Sequence, residues 1–157
     1  MCSAMPITIT RGELDKPDVQ ALLALHVTAM HAHSPPEACH VLPGSALARP
    51  SITFFTARDG DRLLGFGALK ALGDGDGEVK SMRTAPEALG QGVGRAILAA
   101  LTTEARARGY RSLLLETGTT PDFGAALRLY ECAGFRSSEP FGGYPASDFT
   151  RFLRLDL

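Results

Sequence analysis

A short run of glycines directly before an apolar helix is the first place in the sequence where chemistry is expected. The segment "LGQGVGRAIL" (residues 89–98) has glycine at positions 90, 92 and 94 and then continues with apolar residues. Glycine inside a helix is unfavourable by roughly 1 kcal/mol relative to alanine. At the start of a helix, however, a glycine-rich turn exposes unpaired backbone N–H groups at the positive end of the helix dipole. The segment therefore predicts either a plain turn or a seat for an anion such as a pyrophosphate.

Two known phosphate-binding patterns do not fit this segment. A Walker A loop requires Gly-Lys-Ser/Thr after its first glycine and four further residues, and no such run is present. The dinucleotide fingerprint G-x-G-x-x-G/A fails because the sixth position is Ile97 counted from Gly92, and Arg95 counted from Gly90. The anion seat would therefore be built from backbone amides, with Arg95 adding a side-chain charge. On spacing alone, this seat and a plain turn remain alternatives.

Several titratable residues lie on predicted strands or at the end of a predicted helix. In the extended segment "EVKSMRTA" (residues 78–85), strand alternation places Glu78, Lys80 and Met82 on one face. Glu78 is either a catalytic carboxylate or an exposed charge after a turn. Glu116 ends the leucine-rich strand "RSLLLET", and His31 and His33 end the first helix, where they either face solvent or line a pocket.

The elements that must position these residues follow from periodicity. Alternating or continuous apolar runs predict strands over residues 7–10, 51–57, 62–71, 78–85, 111–117 and 149–157. Helical spacing predicts helices from Asp18 to about His33, from Val93 to the Gly109 region, and from Thr120 to Ala133, the last with Ala126, Leu129, Tyr130 and Ala133 inward. "SPPE" (residues 34–37) has the form of a capping box and predicts another short helix that ends before Pro43. This mixture indicates one α/β (α+β) domain over residues 1–157.

Composition limits the classes of function. The chain has 157 residues, 45% of them hydrophobic and 21% charged, with a net charge of −1, which is typical of a soluble globular protein. The charge gives no reason to expect a nucleic acid or a membrane as partner. The three cysteines are widely spaced, and no histidine lies at zinc-ligand spacing from two of them, so neither a disulfide framework nor a metal is expected. Without a signal peptide or an apolar span, a cytoplasmic location is expected.

Two ordered motifs resemble those of a known enzyme superfamily. "MRTAPEALGQGVGRAIL" (residues 82–98) resembles motif A of the GCN5-related N-acetyltransferases (GNAT), in which Q/R-x-x-G-x-G/A wraps the pyrophosphate of acetyl-CoA. "AALRLYECAGF" (residues 125–135) is similar to that family's second motif, A-x-x-L-Y-x-x-x-G-F. The strings "HAHSPPE", "EVKSMRT" and "LETGT" resemble a bacterial branch of small-molecule acetyltransferases often labelled YsnE-like. Two positions depart from the pattern: Leu89 replaces the usual Gln or Arg, and Phe123 stands where many relatives have Asn.

The resemblance implies a fold and a cofactor site. The fold is a mixed, strongly twisted sheet of about seven strands flanked by about four helices, in which the fourth and fifth strands splay apart. Acetyl-CoA would lie in the resulting V. The residues implied for binding it are Met82, Arg83, Thr84, Leu89, Gly90, Gln91, Gly92, Val93, Gly94, Arg95, Ala96, Phe123 and Ala126.

The same resemblance implies roles in catalysis. Tyr130 would protonate the leaving thiolate, and a backbone N–H at or near Met82 would stabilise the oxyanion. Glu78 is the expected base, although Glu116 or a chain of waters can remove the proton instead. The residues expected to bind the acceptor are His31, His33, Phe54, Lys80, Glu116 and Tyr144.

The function implied is transfer of an acetyl group from acetyl-CoA to a primary amine of a small molecule, by direct attack in a ternary complex. Two alternatives remain open at this point. One is an enzyme that acetylates a protein or peptide, and the other is a CoA-sensing binding module without turnover. Because relatives frequently pair, a homodimer is a further expectation.

Overall fold

A seven-stranded mixed sheet runs through the part of the chain that this computed structural model describes, residues 6–35 and 44–157. The order of strands across the sheet is β1-β2-β3-β4-β5-β7-β6. The strands are β1 (Thr8–Arg11), β2 (Ile52–Asp59), β3 (Arg62–Ala71), β4 (Asp76–Thr84), β5 (Ser112–Gly118), β6 (Arg136–Ser137) and β7 (Thr150–Asp156).

Two strands in the middle of the sheet, β4 and β5, separate along their length. They are the parallel pair, whereas the other neighbouring strands pair antiparallel. Their ladder covers Asp76 to Glu78 on β4 and Ser112 to Leu114 on β5, and both strands continue for several residues beyond it. The α/β fold with splayed central strands is confirmed.

Three α-helices are present in the described residues: α1 (Pro17–His33), α2 (Val93–Ala107) and α3 (Gly124–Cys132). The additional helix predicted after Ser34 falls largely on residues 36–43, outside the described part. The strand β6 was not predicted, because two residues are too few to show a period. The prediction that Ala133 faces inward is wrong, because α3 ends at Cys132 and Ala133 is its exposed C-cap.

The helices α1 and α2 pack on opposite faces of the sheet. On the α1 face, the ring of Phe66 contacts the His26 ring edge-on, with centroids 5.9 Å apart. On the other face, β3 carries Gly67, and a Cβ there would lie 2.6 Å from Cγ2 of Ile97 in α2. The missing side chain thus lets α2 approach the sheet closely and bury Ile97 completely.

A β-bulge interrupts β4 where it leaves β5. Phe66 pairs with Arg83 and Ala68 pairs with Lys80, so Ser81 and Met82 together face one residue, Gly67. Ser81 has a φ of 54°, in the left-handed region. The extra residue shifts the alternation of side chains.

The bulge separates residues that were predicted to share a face. Lys80 lies opposite Ala68, on the face of Phe66 and α1, and Glu78 lies on that face too. The Met82 sulfur lies on the α2 face, 2.7 Å from where a Cβ at Gly67 would be. The prediction that Met82 shares a face with Glu78 and Lys80 is therefore wrong, and Arg83 takes the α1 face instead.

Replacing Gly67 with alanine is expected to destabilise the protein by about 1–3 kcal/mol, because the added methyl overpacks the contact with α2. The measurement is urea-induced unfolding. The matched control is Gly124→Ala at the first position of α3, where the nearest atom to a Cβ is the Arg128 side chain at 3.4 Å. We expect the control to be neutral or more stable by up to about 1 kcal/mol. Equal effects of the two substitutions would contradict this account of the packing.

Candidate functional site

A cavity of about 300 Å³ lies where β4 and β5 separate. Its walls come from the end of α1, from β4 around the bulge, from the end of β5 and the start of β7, and from α3 and the turn before it. Eight of the predicted site residues line it: His33, Lys80, Met82, Arg83, Glu116, Phe123, Ala126 and Tyr130. Chemically capable side chains far apart in sequence therefore meet in one place.

Some predicted acceptor-binding residues do not line this cavity. Phe54 is buried in the core, where its ring packs 5.3 Å from that of Phe66. His31 is exposed near the end of α1. Tyr144 and Glu78 lie behind the cavity wall and reach it through Lys80. The predicted role of Glu78 as the base, and the predicted contacts of the other three residues with an acceptor, stay predictions.

The glycine turn joins β4 to α2 and is open to solvent. Gly90 and Gly92 have φ values of 74° and 84°, and a Cβ at either would meet nothing within 4 Å. Gly92 is the N-cap of α2 and forms no side-chain cap hydrogen bond. The first intrahelical hydrogen bond runs from Ala96 N to Gly92 O at 3.0 Å. The N–H groups of residues 93–95 therefore have no acceptor within the helix, and the corner is not filled by side chains.

The side chains around the turn leave it accessible. Leu89, at the position where the motif usually has Gln or Arg, is 65% exposed. Gly94 faces α3, and a Cβ there would be 3.1 Å from Cδ2 of Leu129. The remaining residues of the predicted cofactor set in this region, Thr84, Gln91, Val93, Arg95 and Ala96, lie on or next to this turn. The geometry fits an anion at this corner, and the roles of the individual residues stay predictions.

Tyr130 lies on the inner face of α3 and is 7% exposed. Its ring packs against Phe135, with centroids 5.8 Å apart. Burial raises the pKa of Tyr130 to about 12. The phenol therefore keeps its proton at neutral pH and is available as a hydrogen-bond donor in the cavity.

A buried cluster of Glu78, Lys80 and Tyr144 supports the β4 wall. Lys80 Nζ donates to Tyr144 Oη at 2.9 Å and lies 3.4 Å from Glu78 Oε2. Tyr144 Oη donates to the same Glu78 oxygen at 3.1 Å, and Lys80 sits 5.2 Å from the centre of the tyrosine ring. Burial raises the pKa of Glu78, against the opposing effect of Lys80. The alternative that Glu78 is an exposed charge is wrong, because its side chain is fully buried.

A second pair in the cavity wall was not predicted. Arg83 Nε donates to Nδ1 of His26 at 2.9 Å. Burial, and then the charge of Arg83, lower the pKa of His26 to about 4, so this imidazole is neutral at pH 7 with its proton on Nε2. His26 follows Val19, Leu22 and Leu23 at helical spacing, so the period of α1 indicates an inward position. Nothing in the sequence indicates that Arg83 is its partner.

Two buried hydroxyls in the cavity wall lack partners. Ser81 Oγ, on the bulge, and Thr150 Oγ1, at the start of β7, form no hydrogen bond with any described residue. An unsatisfied buried polar group costs about 1–3 kcal/mol. Both residues line the cavity, and their hydroxyl oxygens, shielded from solvent, leave their hydrogen-bonding capacity unused among the described residues.

Neither a metal-binding cluster nor a membrane-spanning helix occurs in the described part of the chain. Within residues 6–35 and 44–157, no three His, Cys, Asp or Glu side chains are grouped so that they could hold a metal ion. Among the helices of the same ranges, none has both the length and the apolar character needed to cross a membrane.

The chain is similar to a known protein family over most of its length. The pattern of the acetyltransferase (GNAT) family matches residues 19–135, most of the chain. The uncharacterised N-acetyltransferase YedL of Escherichia coli is 45% identical over 150 residues, which cover 96% of this chain and 94% of YedL. The chain belongs to the GNAT family. YsnE of Bacillus subtilis, also an uncharacterised N-acetyltransferase, is 44% identical over 139 residues, covering 88% of this chain and 92% of YsnE.

Other acetyltransferase sequences and solved structures are also similar to this chain. An IAA acetyltransferase of Azospirillum brasilense is 38% identical over 124 residues, covering 78% of this chain and 80% of that protein. An acyl-CoA N-acyltransferase structure from Klebsiella pneumoniae superposes with a TM-score of 0.79 at 28% identity, over 99% of both chains. A Bacillus subtilis acetyltransferase solved with CoA has a TM-score of 0.73 at 19% identity, covering 97% of this chain and 99% of that one. An Elizabethkingia anophelis GNAT structure with acetyl-CoA has a TM-score of 0.71 at 21% identity, covering 96% and 98%.

The neutral state of His26 has a consequence for stability. Since its pKa is about 4 in the folded protein and about 6.5 in an unfolded chain, the unfolded chain binds more protons between these values. The free energy of unfolding should therefore fall as the pH is lowered from 6.5 to 4, by on the order of 3 kcal/mol from this group. Urea unfolding across this range should show a shallower fall for His26→Asn, which keeps an acceptor for Arg83. The control is His31→Asn at an exposed position; a wild-type-like fall in both variants would contradict the burial effect.

Proposed function

We propose that this GNAT protein transfers an acetyl group from acetyl-CoA to a primary amine of a small molecule, by direct attack within a ternary complex. The observation that carries the proposal is the cavity between β4 and β5, where the bulge at Ser81 and Met82 meets Tyr130. The helix α3 contributes Ala126 and Tyr130 to the cavity wall, and its Leu129 faces Gly94 of the glycine turn. A cofactor bound at the turn could therefore extend along α3 towards the cavity. The CoA and acetyl-CoA bound to the two solved relatives support the choice of acyl donor.

The residues that would hold acetyl-CoA fit its chemistry. The amides at the start of α2 suit a pyrophosphate, since they lack intrahelical acceptors and Gly90 and Gly92 leave the approach clear. The backbone of residues 82–84 and the side chains of Phe123 and Ala126 suit the pantetheine arm between the splayed strands. When bound, acetyl-CoA supplies an activated thioester carbonyl.

The bulge is our candidate for stabilising the oxyanion. A bulge leaves one residue outside the ladder, and thus frees a backbone N–H that would otherwise pair with the neighbouring strand. We assign the N–H at Met82 to this role. Fixed N–H donors next to a developing negative charge are worth about 2.7–4 kcal/mol of transition-state stabilisation in other acyl-transfer enzymes. The Met82 side chain meanwhile packs towards α2, so packing and catalysis use different atoms.

Tyr130 is our candidate for donating a proton to the leaving sulfur. With a pKa of about 12 it is a weaker acid than a free thiol of pKa about 8.5, so transfer to a fully solvated thiolate would be unfavourable. The cavity that raises the pKa of the phenol would also raise that of a thiolate, because burial disfavours both anions. Tyr130 then acts first as a hydrogen-bond donor to the sulfur and gives up its proton as the C–S bond breaks.

Removal of the proton from the amine has two candidate side chains. Glu116 lines the cavity, whereas the carboxylate of Glu78 contacts Lys80 and Tyr144 behind the wall. A direct contact with the acceptor therefore favours Glu116, and Glu78 would act through its two neighbours. A chain of waters remains the alternative to both.

A small molecule is favoured over a peptide as acceptor. The cavity volume of about 300 Å³ is at the lower end of the range for pockets that hold small ligands. The end of α1 closes one side with His26, Met30 and His33. The IAA acetyltransferase relative also has a name that denotes a small substrate.

The glycine turn predicts a specific effect on cofactor affinity. Acetyl-CoA should raise the melting temperature of the wild type, since it binds the folded state. Gly92→Ala should weaken acetyl-CoA binding by about tenfold or more, because the new methyl points into the anion seat and the helix start is strained. Gly109→Ala is the control: its φ of 74° and open surroundings match, but it lies beyond the other end of α2. Equal affinities of the two variants for acetyl-CoA, measured by titration calorimetry, would contradict the proposal that the glycine turn binds the pyrophosphate.

Tyr130 predicts an effect on turnover. Tyr130→Phe should lower kcat by about 10²-fold or more, since a positioned acid contributes about 10²–10⁴ in rate, while the acetyl-CoA Kd stays within about twofold. The assay follows release of the CoA thiol with a library of small amines and, in parallel, a library of peptides. Tyr110→Phe serves as the control, because Tyr110 is half-buried and does not line the cavity.

Each alternative gives a distinct outcome in this assay. A binding module would give a thermal shift with acetyl-CoA but no thiol release with any amine or peptide. A peptide acetyltransferase would release thiol with peptides and not with small amines. An unchanged kcat for Tyr130→Phe would remove Tyr130 from the proposed mechanism while leaving the acceptor class unaffected.

A further inference from the structure

We infer that the acceptor carries a carboxylate as well as its amine, and that the guanidinium of Arg83 binds this carboxylate. The inference rests on the proposed function and names the substrate class of the same cavity. The acceptor is thus an amino-acid-like molecule, with an anionic group at one end and a nucleophilic nitrogen at the other.

The charges in the cavity wall point to Arg83 as the cation in need of a partner. Lys80 has Glu78 at 3.4 Å, and Nδ1 of His33 lies 3.3 Å from Oδ2 of Asp122. For Arg83, no carboxylate of residues 6–35 or 44–157 lies within salt-bridge distance, and burial lowers its pKa without an opposing effect from an acidic neighbour. Burying a charge is costly unless it is paired, so a half-buried guanidinium on a cavity wall favours an anionic ligand.

The hydrogen bond to His26 uses only Nε of Arg83 and leaves its two terminal nitrogens available to a ligand. Arg83 Nε donates to the neutral imidazole, which fixes the plane of the guanidinium without neutralising its charge. The two terminal nitrogens then present parallel N–H groups, the geometry that binds a carboxylate in bidentate fashion. His26 is itself held by burial and by the edge-on contact with Phe66. We therefore regard His26 as a positioning residue.

The bulge directs Arg83 towards the acceptor rather than the cofactor. Because of the extra residue in β4, Arg83 lies on the α1 face while Met82 packs on the α2 face. The glycine turn leads into α2, on the opposite face of the sheet. The family resemblance implies that Arg83 binds the cofactor. We assign that contact to its backbone and propose that its side chain binds the acceptor.

The remaining polar atoms of the cavity suit the same ligand. Ser81 Oγ and Thr150 Oγ1 are buried beside the cavity without partners among the described residues, so rotation of either side chain would let its hydroxyl donate to a carboxylate oxygen. Glu116 supplies an acidic group for the amine end. The apolar side chains of Met30, Phe123 and Phe149 complete the wall and favour an apolar substituent between the two ends.

The test compares matched amines that differ in the carboxylate. Phenylalanine, leucine and β-alanine are assayed against phenylalaninamide, leucinamide and β-alaninamide, with acetyl-CoA saturating and CoA thiol release as the readout. For the wild type we expect kcat/KM to be at least about 30-fold higher for an acid than for its amide in one or more pairs. Arg83→Gln should raise the KM for the acid far more than the KM for its amide, so that the ratio of the two kcat/KM values falls to about one.

Two further variants separate charge from structure. Arg83→Lys keeps the positive charge but lacks the two parallel N–H groups of the guanidinium. It should therefore retain part of the preference for acids that Arg83→Gln loses. Arg62→Gln removes the same charge at an exposed position outside the cavity and should leave the preference intact. Equal kcat/KM for acids and amides in the wild type would overturn the inference, as would an equal loss on both in Arg83→Gln.

A binding measurement decides the case in which no free amine is acetylated. With CoA present, N-acetylphenylalanine and N-acetylphenylalaninamide are titrated into the wild type and Arg83→Gln. Tighter binding of the acid that is lost in Arg83→Gln supports the carboxylate site, even if turnover on small amines, and with it the proposed function, fails. No difference between the two ligands overturns the inference, while the thermal shift with acetyl-CoA still reports on the cofactor site independently.

Discussion

One extra residue in β4 controls the arrangement of the whole site. The ladder between β3 and β4 cannot place both Ser81 and Met82 opposite Gly67 and keep the alternation of side chains. As a result, Glu78, Lys80 and Arg83 share the α1 face, and Met82 packs against α2. A regular strand would send Arg83 to the other face. The cavity would then lose the guanidinium that its wall contains.

The α1 face of the sheet carries charged groups that the protein keeps buried by two different means. Glu78 and Lys80 neutralise each other, with Tyr144 hydrogen-bonded to both. Arg83 is instead held by a neutral imidazole, so its charge remains available at the cavity. The first arrangement stabilises the wall. The second orients a charge that a ligand can neutralise, and this difference separates supporting residues from candidate binding residues.

Much of the fold and part of the site follow from the sequence, for physical reasons that differ. The three α-helices and the longer strands were predictable because their apolar residues recur at helical spacing or form alternating or continuous runs, and β3 was predicted at its observed bounds, Arg62–Ala71. The glycine turn was predictable because closely spaced glycines disfavour a regular helix and readily adopt the positive φ values of a turn. The face on which Met82 lies was not predictable. The bulge depends on how β4 pairs with β3, and the residue types of β4 alone do not indicate it. The contact between His26 and Arg83 joins residues 57 positions apart, and no local period encodes it.

Because the ladder between β4 and β5 is short, a ligand bound between these strands would contribute to holding the sheet together. Three residue pairs join these strands directly, after which they diverge. A molecule lying in the gap would contact β4 on one side and the end of β5 on the other, and so connect two parts of the sheet that share few backbone hydrogen bonds. A bound molecule would thus add non-covalent contacts between the two strands in the middle of the sheet. We expect the protein to become more rigid at the site of the reaction.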